Sequence, residues 1–375
     1  MRINPGIHVL EVSPGALQLG IGSGSLLLRN LQAADIGFLA ALRSGVPDGT
    51  EPATAAELSL PAERTASLLE VLDPLLVPFG GPAAPVPSLR SERLQPDARR
   101  ISSAYGVNGE QTVRHRSSAT VSVEGLGRTG ALLARTLATA GIGRLLLADP
   151  GLVAPDDVGP AYAMTDIGMN RAAATKRHIF RVDPTLQVLP VTGDGREAAA
   201  GTVDLAVTVR AVGAMHRDQE AGTGAPVPRL VLTAQEGGWD VGPLVVPGVT
   251  PCLECLDRYR ADTDPGWYAA VEALGRQDRP TTRTAGTTDA GGGQRAGDPA
   301  PEVCGWPDGE ETAGAVLAAG TAAMAALVFL DGVNQPALLS SVLSLRASDG
   351  YPRLQKLDFH PSCGCRLQHR SPRVA

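Results

Sequence analysis

The chain has 375 residues, of which 43% are hydrophobic and 19% charged, and this composition excludes a chain that is disordered throughout. Its length allows two or three domains. The formal net charge of −6 argues against a general nucleic-acid binder, which would carry a basic surface.

Residues 1–95 predict a small domain of short strands and helices. Apolar runs separated by glycine or proline indicate three strands, and two apolar stripes of helical period indicate two helices. The runs are 8–12, 16–20 and 25–29, and the stripes lie in 33–42 and 62–73. We predict a winged-helix-like domain that could bind a peptide. The proline-rich stretch 78–87 opens the connecting region, and we place a linker at 96–117.

Residues 118–375 predict an α/β domain. Between residues 118 and 260, buried β runs alternate with helical patterns, which is typical of a doubly wound, Rossmann-like parallel sheet. A long helix near 311–330 and two closing strands, near 340–346 and 354–359, complete the predicted fold. This part of the chain is therefore expected to be a single nucleotide-binding type of domain.

Two segments of the second domain are unusual in composition. The helix near 311–330 contains 18 consecutive uncharged residues, but alanine and glycine dominate it, so we predict a buried core helix and no membrane span. Residues 276–303 have few large apolar side chains, which predicts a mobile loop. The N-terminus lacks the apolar run of a signal peptide, and we therefore expect a cytoplasmic protein.

A glycine-rich turn, GLGRTG at residues 125–130, follows a β run, opens a helix, and precedes a second β run that ends in Asp149. In this context the glycines permit close backbone approach, the helix N-terminus attracts phosphate, and the acid can accept a hydrogen bond from ribose. The predicted cofactor-binding residues are Gly125, Gly127, Arg128, Gly130 and Asp149. A nucleotide-type fold that no longer binds nucleotide is the open alternative.

Two close cysteine pairs lie more than 100 residues apart. Cys252 and Cys255 form one pair, and Cys363 and Cys365 form the other. Four thiolates in two pairs suit a tetrahedral structural zinc ion, which would fasten the C-terminus to the sheet domain. Two local disulfides or free thiols are the alternatives, and His360 could replace one thiolate as a ligand.

The fifth cysteine, Cys304, lies just after the predicted loop. A lone accessible thiol could act as a nucleophile that forms a thioester or a mixed disulfide. Because no base is close in sequence, we favour an incidental role for this residue.

The order of these features resembles the ThiF/MoeB/E1-like superfamily, over about residues 110–368. The resemblance rests on the glycine turn with Asp149, the stretch 236–255, the helix 313–330 and the ending 356–365. Such proteins are similar to ubiquitin-activating enzymes, which use MgATP to adenylate the C-terminal carboxylate of a small protein or peptide. The first domain and the Cys-Gly-Cys ending look more like the E1-like proteins of thiazole/oxazole-modified microcin pathways, in which a winged-helix-like domain grips a precursor peptide.

The same resemblance marks departures in the ATP site. In Gly168–Arg171, Arg171 replaces the lysine of the family's Gly-x-x-Lys, and Pro160 stands where a phosphate-binding arginine is expected. The acid that holds magnesium is not evident in residues 207–211. Arg171 can still bind phosphate and is the predicted catalytic residue. Because adenylation needs the triphosphate charge to be offset, we expect weakened chemistry.

Three functions follow. The leading hypothesis is an E1-like homodimer that binds a peptide or small carrier protein and presents it to another enzyme. It would contain structural zinc and a degenerate adenylation site, with ATP/Mg as an open cofactor. The second is a working adenylyltransferase that activates the C-terminal carboxylate of a ubiquitin-like sulfur carrier or precursor peptide, with Asp156 or Asp157 on magnesium. The third is a nicotinamide-dependent oxidoreductase, which the glycine turn permits but the cysteine pairs disfavour.

Overall fold

The computed structural model describes residues 1–79, 88–191, 203–212, 227–277 and 310–365. The chain divides into two compact units, and each is described by itself. Unit 1 is Met1–Ser118 with Asp331–Asn334, and unit 2 is Ala119–Leu330 with Gln335–Ala375. Cys304, nearly all of the predicted loop 276–303 and most of the proline-rich stretch 78–87 lie outside the described residues.

Unit 1 begins with short strands and three helices. Its strands are β1 (Arg2–Ile3), β2 (Val9–Ser13), β3 (Ala16–Leu19), β4 (Leu26–Leu28) and β5 (Leu76–Val77), and its first helices are α1 (Ala33–Ser44), α2 (Glu51–Glu57) and α3 (Ala62–Leu72). β2, β3 and β4 form an antiparallel sheet in chain order, and β1 pairs with β5. The periodic apolar side chains of α1 and α3, among them Phe38, Leu42, Leu68 and Leu72, meet in one core with Leu19 of β3.

The region that the sequence analysis predicts as a linker, 96–117, is mostly helical. The helices there are α4 (Leu89–Arg93), α5 (Gln95–Tyr105) and α6 (Gly109–Arg116). Ala98 and Ile101 of α5 pack with Val113 of α6 in a small apolar cluster. A Cβ on Gly109 would lie 1.9 Å from the carbonyl oxygen of Ala98, so α5 and α6 touch at this glycine. These helices expose many arginine and serine side chains, which obscured their apolar face in the sequence.

Unit 2 contains an eight-stranded sheet within the described residues. Its strands are β6 (Thr120–Glu124), β7 (Arg144–Ala148), β8 (Gln187–Pro190), β9 (Leu205–Ala211), β10 (Arg229–Gln235), β11 (Gly238–Val245), β12 (Ser341–Arg346) and β13 (Pro352–Lys356). The order is β13-β12-β11-β10-β9-β6-β7-β8, and the five strands from β10 to β8 are parallel. The predicted α/β fold with a Rossmann-like parallel sheet is therefore confirmed.

The strands β10 to β13 extend this sheet in antiparallel fashion. The hairpin between β10 and β11 turns at Glu236 and Gly237, and β11 itself was not predicted because Asp240, Gly242 and Pro243 interrupt its apolar pattern. Alternate side chains of the central parallel strands, such as Val121 and Val123 of β6 and Leu145 and Leu147 of β7, lie in the core of the sheet domain. The antiparallel extension is the part of the sheet that leads to both cysteine pairs.

Five helices of unit 2 surround this sheet in the described residues: α7 (Arg128–Thr139), α8 (Arg171–Val182), α9 (Leu253–Thr263), α10 (Trp267–Gln277) and α11 (Thr312–Asp331). Among them α11 alone is long and apolar enough to cross a membrane by length and composition. Its alanine face, including Ala318, Ala322 and Ala326, is buried in the core of the sheet domain. These contacts are those of a core helix in a soluble domain.

Candidate functional site

The glycine turn between β6 and α7 requires its glycines. Gly125 has a φ of +79°, and a Cβ there would lie 2.1 Å from the carbonyl oxygen of Val209 at the end of β9. A Cβ on Gly130 would lie 1.8 Å from the carbonyl oxygen of Gly125. The turn is therefore closed tightly over the ends of two neighbouring parallel strands, as a nucleotide fold requires.

Asp149, at the end of β7, fastens this turn. Its Oδ2 accepts a hydrogen bond from the N–H of Leu126 at 2.6 Å, and its Oδ1 accepts one from the N–H of Gly151 at 2.7 Å. Each carboxylate oxygen can accept two hydrogen bonds, so the side chain keeps capacity for a ligand hydroxyl. Asp149 thus lies at the mouth of the glycine turn, where the sequence placed it.

Arg171, the first residue of α8, lies between two carboxylates. Its Nε and Nη2 donate to Oδ2 of Asp157 at 2.9 and 2.8 Å, and its Nη1 is 3.7 Å from Oδ2 of Asp149. Burial lowers the pKa of Arg171, but the hydrogen bond and charge of Asp157 outweigh this and leave the pKa raised. A ligand phosphate that used this guanidinium would have to compete with Asp157.

Arg128 connects three parts of the site through carbonyl and hydroxyl oxygens. Its Nη1 donates to the carbonyl oxygen of Glu310 at 2.8 Å and to the Thr312 hydroxyl at 3.1 Å, and its Nη2 donates to the carbonyl oxygen of Val158 at 3.0 Å. Its Nε is buried without a hydrogen-bond partner in the described part of the chain. Arg128 therefore holds the segments around the turn together, in addition to any contact it makes with a ligand.

Glu310 also lines the site, although the sequence does not predict it. Its Oε2 accepts a hydrogen bond from the N–H of Thr129 at 2.5 Å, in the first turn of α7, and its Oε1 lies 2.5 Å from the point that a Cβ on Gly127 would occupy. Burial raises the pKa of the Glu310 carboxyl, against the hydrogen bond from Thr129, which lowers it. No sequence signal pointed to this residue, because its partners lie about 180 positions earlier in the chain.

These residues line a cavity of about 360 Å³. Four acids and three arginines contribute to its wall: Asp149, Asp156, Asp157, Glu310, Arg128, Arg171 and Arg210. Asp157 also accepts a hydrogen bond from the N–H of Ala154 at 2.9 Å, whereas Asp156 is exposed. The cavity brings together Asp149, Arg128, Arg171 and the glycine turn, but its positive charges are balanced by carboxylates of the same chain.

The four cysteines of the two pairs converge in a second site. The Sγ atoms of Cys252 and Cys363 are 3.6 Å apart, those of Cys255 and Cys365 are 3.3 Å apart, and all four lie within 4.8 Å of one another. Disulfide sulfurs would be about 2.05 Å apart, so these are four free thiols. Four sulfurs around one zinc ion at about 2.3 Å would be about 3.8 Å apart, and the cluster could therefore hold a metal ion.

His360 is close to this cluster but is not one of its four members. Its backbone N–H points at Sγ of Cys255 at 3.4 Å, and its imidazole Nε2 lies 3.0 Å from a carboxylate oxygen of Asp262. The imidazole Nδ1 accepts a hydrogen bond from the N–H of Ser362 at 3.1 Å. Both ring nitrogens are engaged, which favours the four-thiolate set over the alternative that includes His360.

Comparison with known proteins identifies the family of this chain. The sequence matches the ThiF family over residues 98–208, which include the glycine turn, Asp149 and Arg171. Protein HesA of Nostoc sp. is 30% identical over 174 residues, which are 44% of this chain and 68% of HesA. The chain belongs to the ThiF family. Protein HesA, heterocyst, of Trichormus variabilis is also 30% identical, and the chain spans 64% of its length.

Solved structures extend the likeness of this ThiF-family chain to nearly all of its length, as a fold. The microcin C7 biosynthetic enzyme MccB in complex with N-formylated MccA has a TM-score of 0.64 at 16% identity, over 97% of this chain and 98% of that chain. The structure of E. coli MccB with ATP has a TM-score of 0.64 at 17% identity, with the same coverage. SeMet PaaA has a TM-score of 0.63 at 17% identity, over 94% of this chain and 98% of that chain.

A metal ion held by the cysteine cluster would stabilise the fold. Substitution Cys252→Ser or Cys363→Ser should lower the free energy of unfolding by more than about 3 kcal/mol, because the binding free energy of a structural zinc ion exceeds this value. Metal content by elemental analysis and urea unfolding of the full chain measure the effect. Cys304→Ser is the matched control and should keep both metal and stability. A metal-free wild type whose stability is unchanged in both variants would exclude the site.

Proposed function

We propose that this ThiF-family chain is an E1-like protein that binds a peptide or small carrier protein, and that its cavity binds ATP but adenylates weakly. The observation that supports this proposal is the charge balance of the cavity. Arg171 is paired with Asp157 and lies near Asp149, while Arg128 is used by carbonyl and hydroxyl oxygens. The cavity has the framework of a nucleotide site without surplus positive charge.

Nucleotide binding is supported by the glycine turn and Asp149. The turn leaves backbone N–H groups at the start of α7, where a phosphate is stabilised by the helix dipole. Asp149 is held by two backbone donors and so presents a fixed acceptor to a ribose hydroxyl. Both features act on the bound nucleotide before any chemistry takes place, so they support binding without requiring turnover.

Adenylation would require more positive charge than the cavity offers. Attack on the α-phosphate builds negative charge that cations or a carboxylate-held Mg²⁺ must stabilise. Pro160 has no side-chain donor, and its carbonyl oxygen accepts a hydrogen bond from Arg135 at 2.6 Å. Arg171 would have to give up Asp157 to act on phosphate. We therefore propose a degenerate adenylation site.

The alternative function, an active adenylyltransferase, is favoured by one observation. Asp156 is exposed and lines the cavity next to Asp157, so it could hold Mg²⁺ without breaking the ion pair of Arg171. In that case Arg171 replaces the family's lysine, and the activated group is the C-terminal carboxylate of a peptide or sulfur carrier. Membership of the ThiF family leaves the nicotinamide-dependent oxidoreductase without support.

A peptide partner is supported by the solved complexes and by unit 1. MccB has been solved with MccA that carries an N-formyl group or selenomethionine, both of which are features of polypeptides. In unit 1 of this chain, the sheet of β2, β3 and β4 exposes Leu10, Val12 and Leu27, and the segment after β3 exposes Ile21. Among the described residues β2 pairs with β3 alone, and an apolar patch beside its other edge suits an extended peptide with apolar side chains.

We also propose zinc as the ion of the cysteine cluster, a cytoplasmic location and a homodimer. Zinc suits four thiolates, and thiols persist in a reducing compartment.

The homodimer is supported by α11, which exposes Val316, Leu317 and Met324 on the side opposite its buried alanines. A second copy would cover this stripe with an identical one. Light scattering should give twice the chain mass, and Met324→Glu should give the monomer; a monomeric wild type would exclude the dimer.

The nucleotide proposal is tested by calorimetry with MgATP and by ATP–pyrophosphate exchange. We expect wild type to bind MgATP with little or no exchange, and Asp149→Ala to weaken binding about tenfold or more, because both the ribose acceptor and the anchor of the turn are lost. The exposed Asp358→Ala is the control and should leave binding unchanged. Rapid exchange that disappears in Asp156→Ala would instead establish the adenylyltransferase.

The peptide proposal is tested with a displayed library of random peptides selected on the full chain. Peptides enriched on wild type should lose about tenfold or more in affinity for Val12→Asp, because a charge in the patch opposes apolar contact. Leu89→Asp changes an exposed leucine of the same unit outside the sheet and should bind like wild type. Equal binding by Val12→Asp would contradict the assignment of the peptide to this sheet.

A further inference from the structure

A carboxylate of the chain lies where the glycine turn would receive an anion. Glu310 accepts the Thr129 N–H with Oε2, and its Oε1 lies against Gly127, at 2.5 Å from the position of a built Cβ. The side chain therefore covers the opening of the turn and uses one of the first N–H groups of α7. These N–H groups have no partner within the helix, so in a nucleotide site they are available to phosphate.

A carboxylate and a phosphate group would be bound at this position by the same interactions. Each is an anion that accepts hydrogen bonds from backbone N–H groups and is stabilised by the helix dipole. Both cannot use the Thr129 N–H at once, and two anions in contact repel each other strongly in a cavity that excludes part of the water. A phosphate that enters the turn must displace Glu310.

The backbone and the side chain of Glu310 are held by different partners. Arg128 donates to the Glu310 carbonyl oxygen at 2.8 Å and to the hydroxyl of Thr312, so the main chain stays near the turn. The carboxylate has one hydrogen bond from Thr129, and Asp157 nearby disfavours its charge while Arg171 favours it. Burial also disfavours the charged form. The side chain can therefore leave the turn while its backbone remains in place.

We propose that Glu310 is an intrachain competitor for phosphate at the glycine turn, and that it sets the affinity of the cavity for phosphate-bearing ligands. A ligand without phosphate does not need this position and is not opposed by Glu310. The part of this proposal that concerns MgATP rests on the proposed function. The proposal also explains why a carboxylate of the protein, that of Glu310, occupies the place where a bound anion is expected. Glu310 thereby becomes a residue that determines ligand specificity.

The experiment compares three probes on the full chain by calorimetry: pyrophosphate, MgATP and adenosine. Glu310→Ala removes both the charge and the covering side chain, and Glu310→Gln removes the charge alone. We expect about tenfold tighter binding of pyrophosphate and MgATP to Glu310→Ala, with a smaller gain for Glu310→Gln, and unchanged binding of adenosine. Glu311→Gln changes the exposed neighbouring acid and should bind all three probes like wild type.

The outcomes separate this inference from the proposed function. Thermal unfolding first establishes that the variants fold. Equal pyrophosphate affinity in wild type, Glu310→Ala and Glu310→Gln overturns the inference, even if MgATP binds to all of them. A gain for pyrophosphate in the variants, with no binding of MgATP or adenosine to any of the proteins, would support the inference but overturn the nucleotide site. An equal gain in Glu311→Gln would also overturn it, since the effect would then come from net charge.

Discussion

The hydrogen bond from the Leu126 amide to Asp149 joins the two strand ends on which the whole cavity depends. β6 and β7 are parallel neighbours, so their carboxyl ends lie side by side and their following loops meet. Gly125 can approach the end of β9 only because it lacks a Cβ, and this approach sets where α7 begins. Arg171 and Glu310 are then brought to the same opening from α8 and from the segment before α11.

Nucleotide binding and catalysis require different features of the cavity. Binding a nucleotide needs a fixed turn, a helix N-terminus and an acceptor for ribose, and all three arise from the local sequence around Gly125 and Asp149. Catalysis of phosphoryl chemistry needs surplus positive charge at the moment of reaction. Here the carboxylates of Asp157 and Glu310 take up interactions that would otherwise serve a ligand. Under the proposed function, the chain keeps the requirements of binding and opposes those of catalysis.

The parts that the sequence could predict are those with local signals. The helices α1, α3, α7 and α11 and the parallel strands were predicted because apolar periodicity and buried runs reflect burial directly. The helices α5 and α6 within the predicted linker at 96–117 were not predicted, because they bury only narrow faces among arginines and serines. Glu310 could not be predicted at all, since one acid in a polar segment has no pattern, and only the fold shows that it reaches Thr129. Long-range contacts of single side chains leave no trace in one sequence.

The order of the strands in the sheet brings together two cysteine pairs that are distant in the sequence. Cys252 and Cys255 follow β11, Cys363 and Cys365 follow β13, and β12 lies between these two strands in the sheet. Adjacent strands are about 5 Å apart, so segments leaving β11 and β13 can reach a common point although more than 100 residues separate them. An ion there would tie the antiparallel edge together, whereas the glycine turn belongs to the parallel half. The two halves share the continuous sheet and one hydrophobic core, so an ion at the cysteine cluster would stabilise the fold at a distance from the cavity.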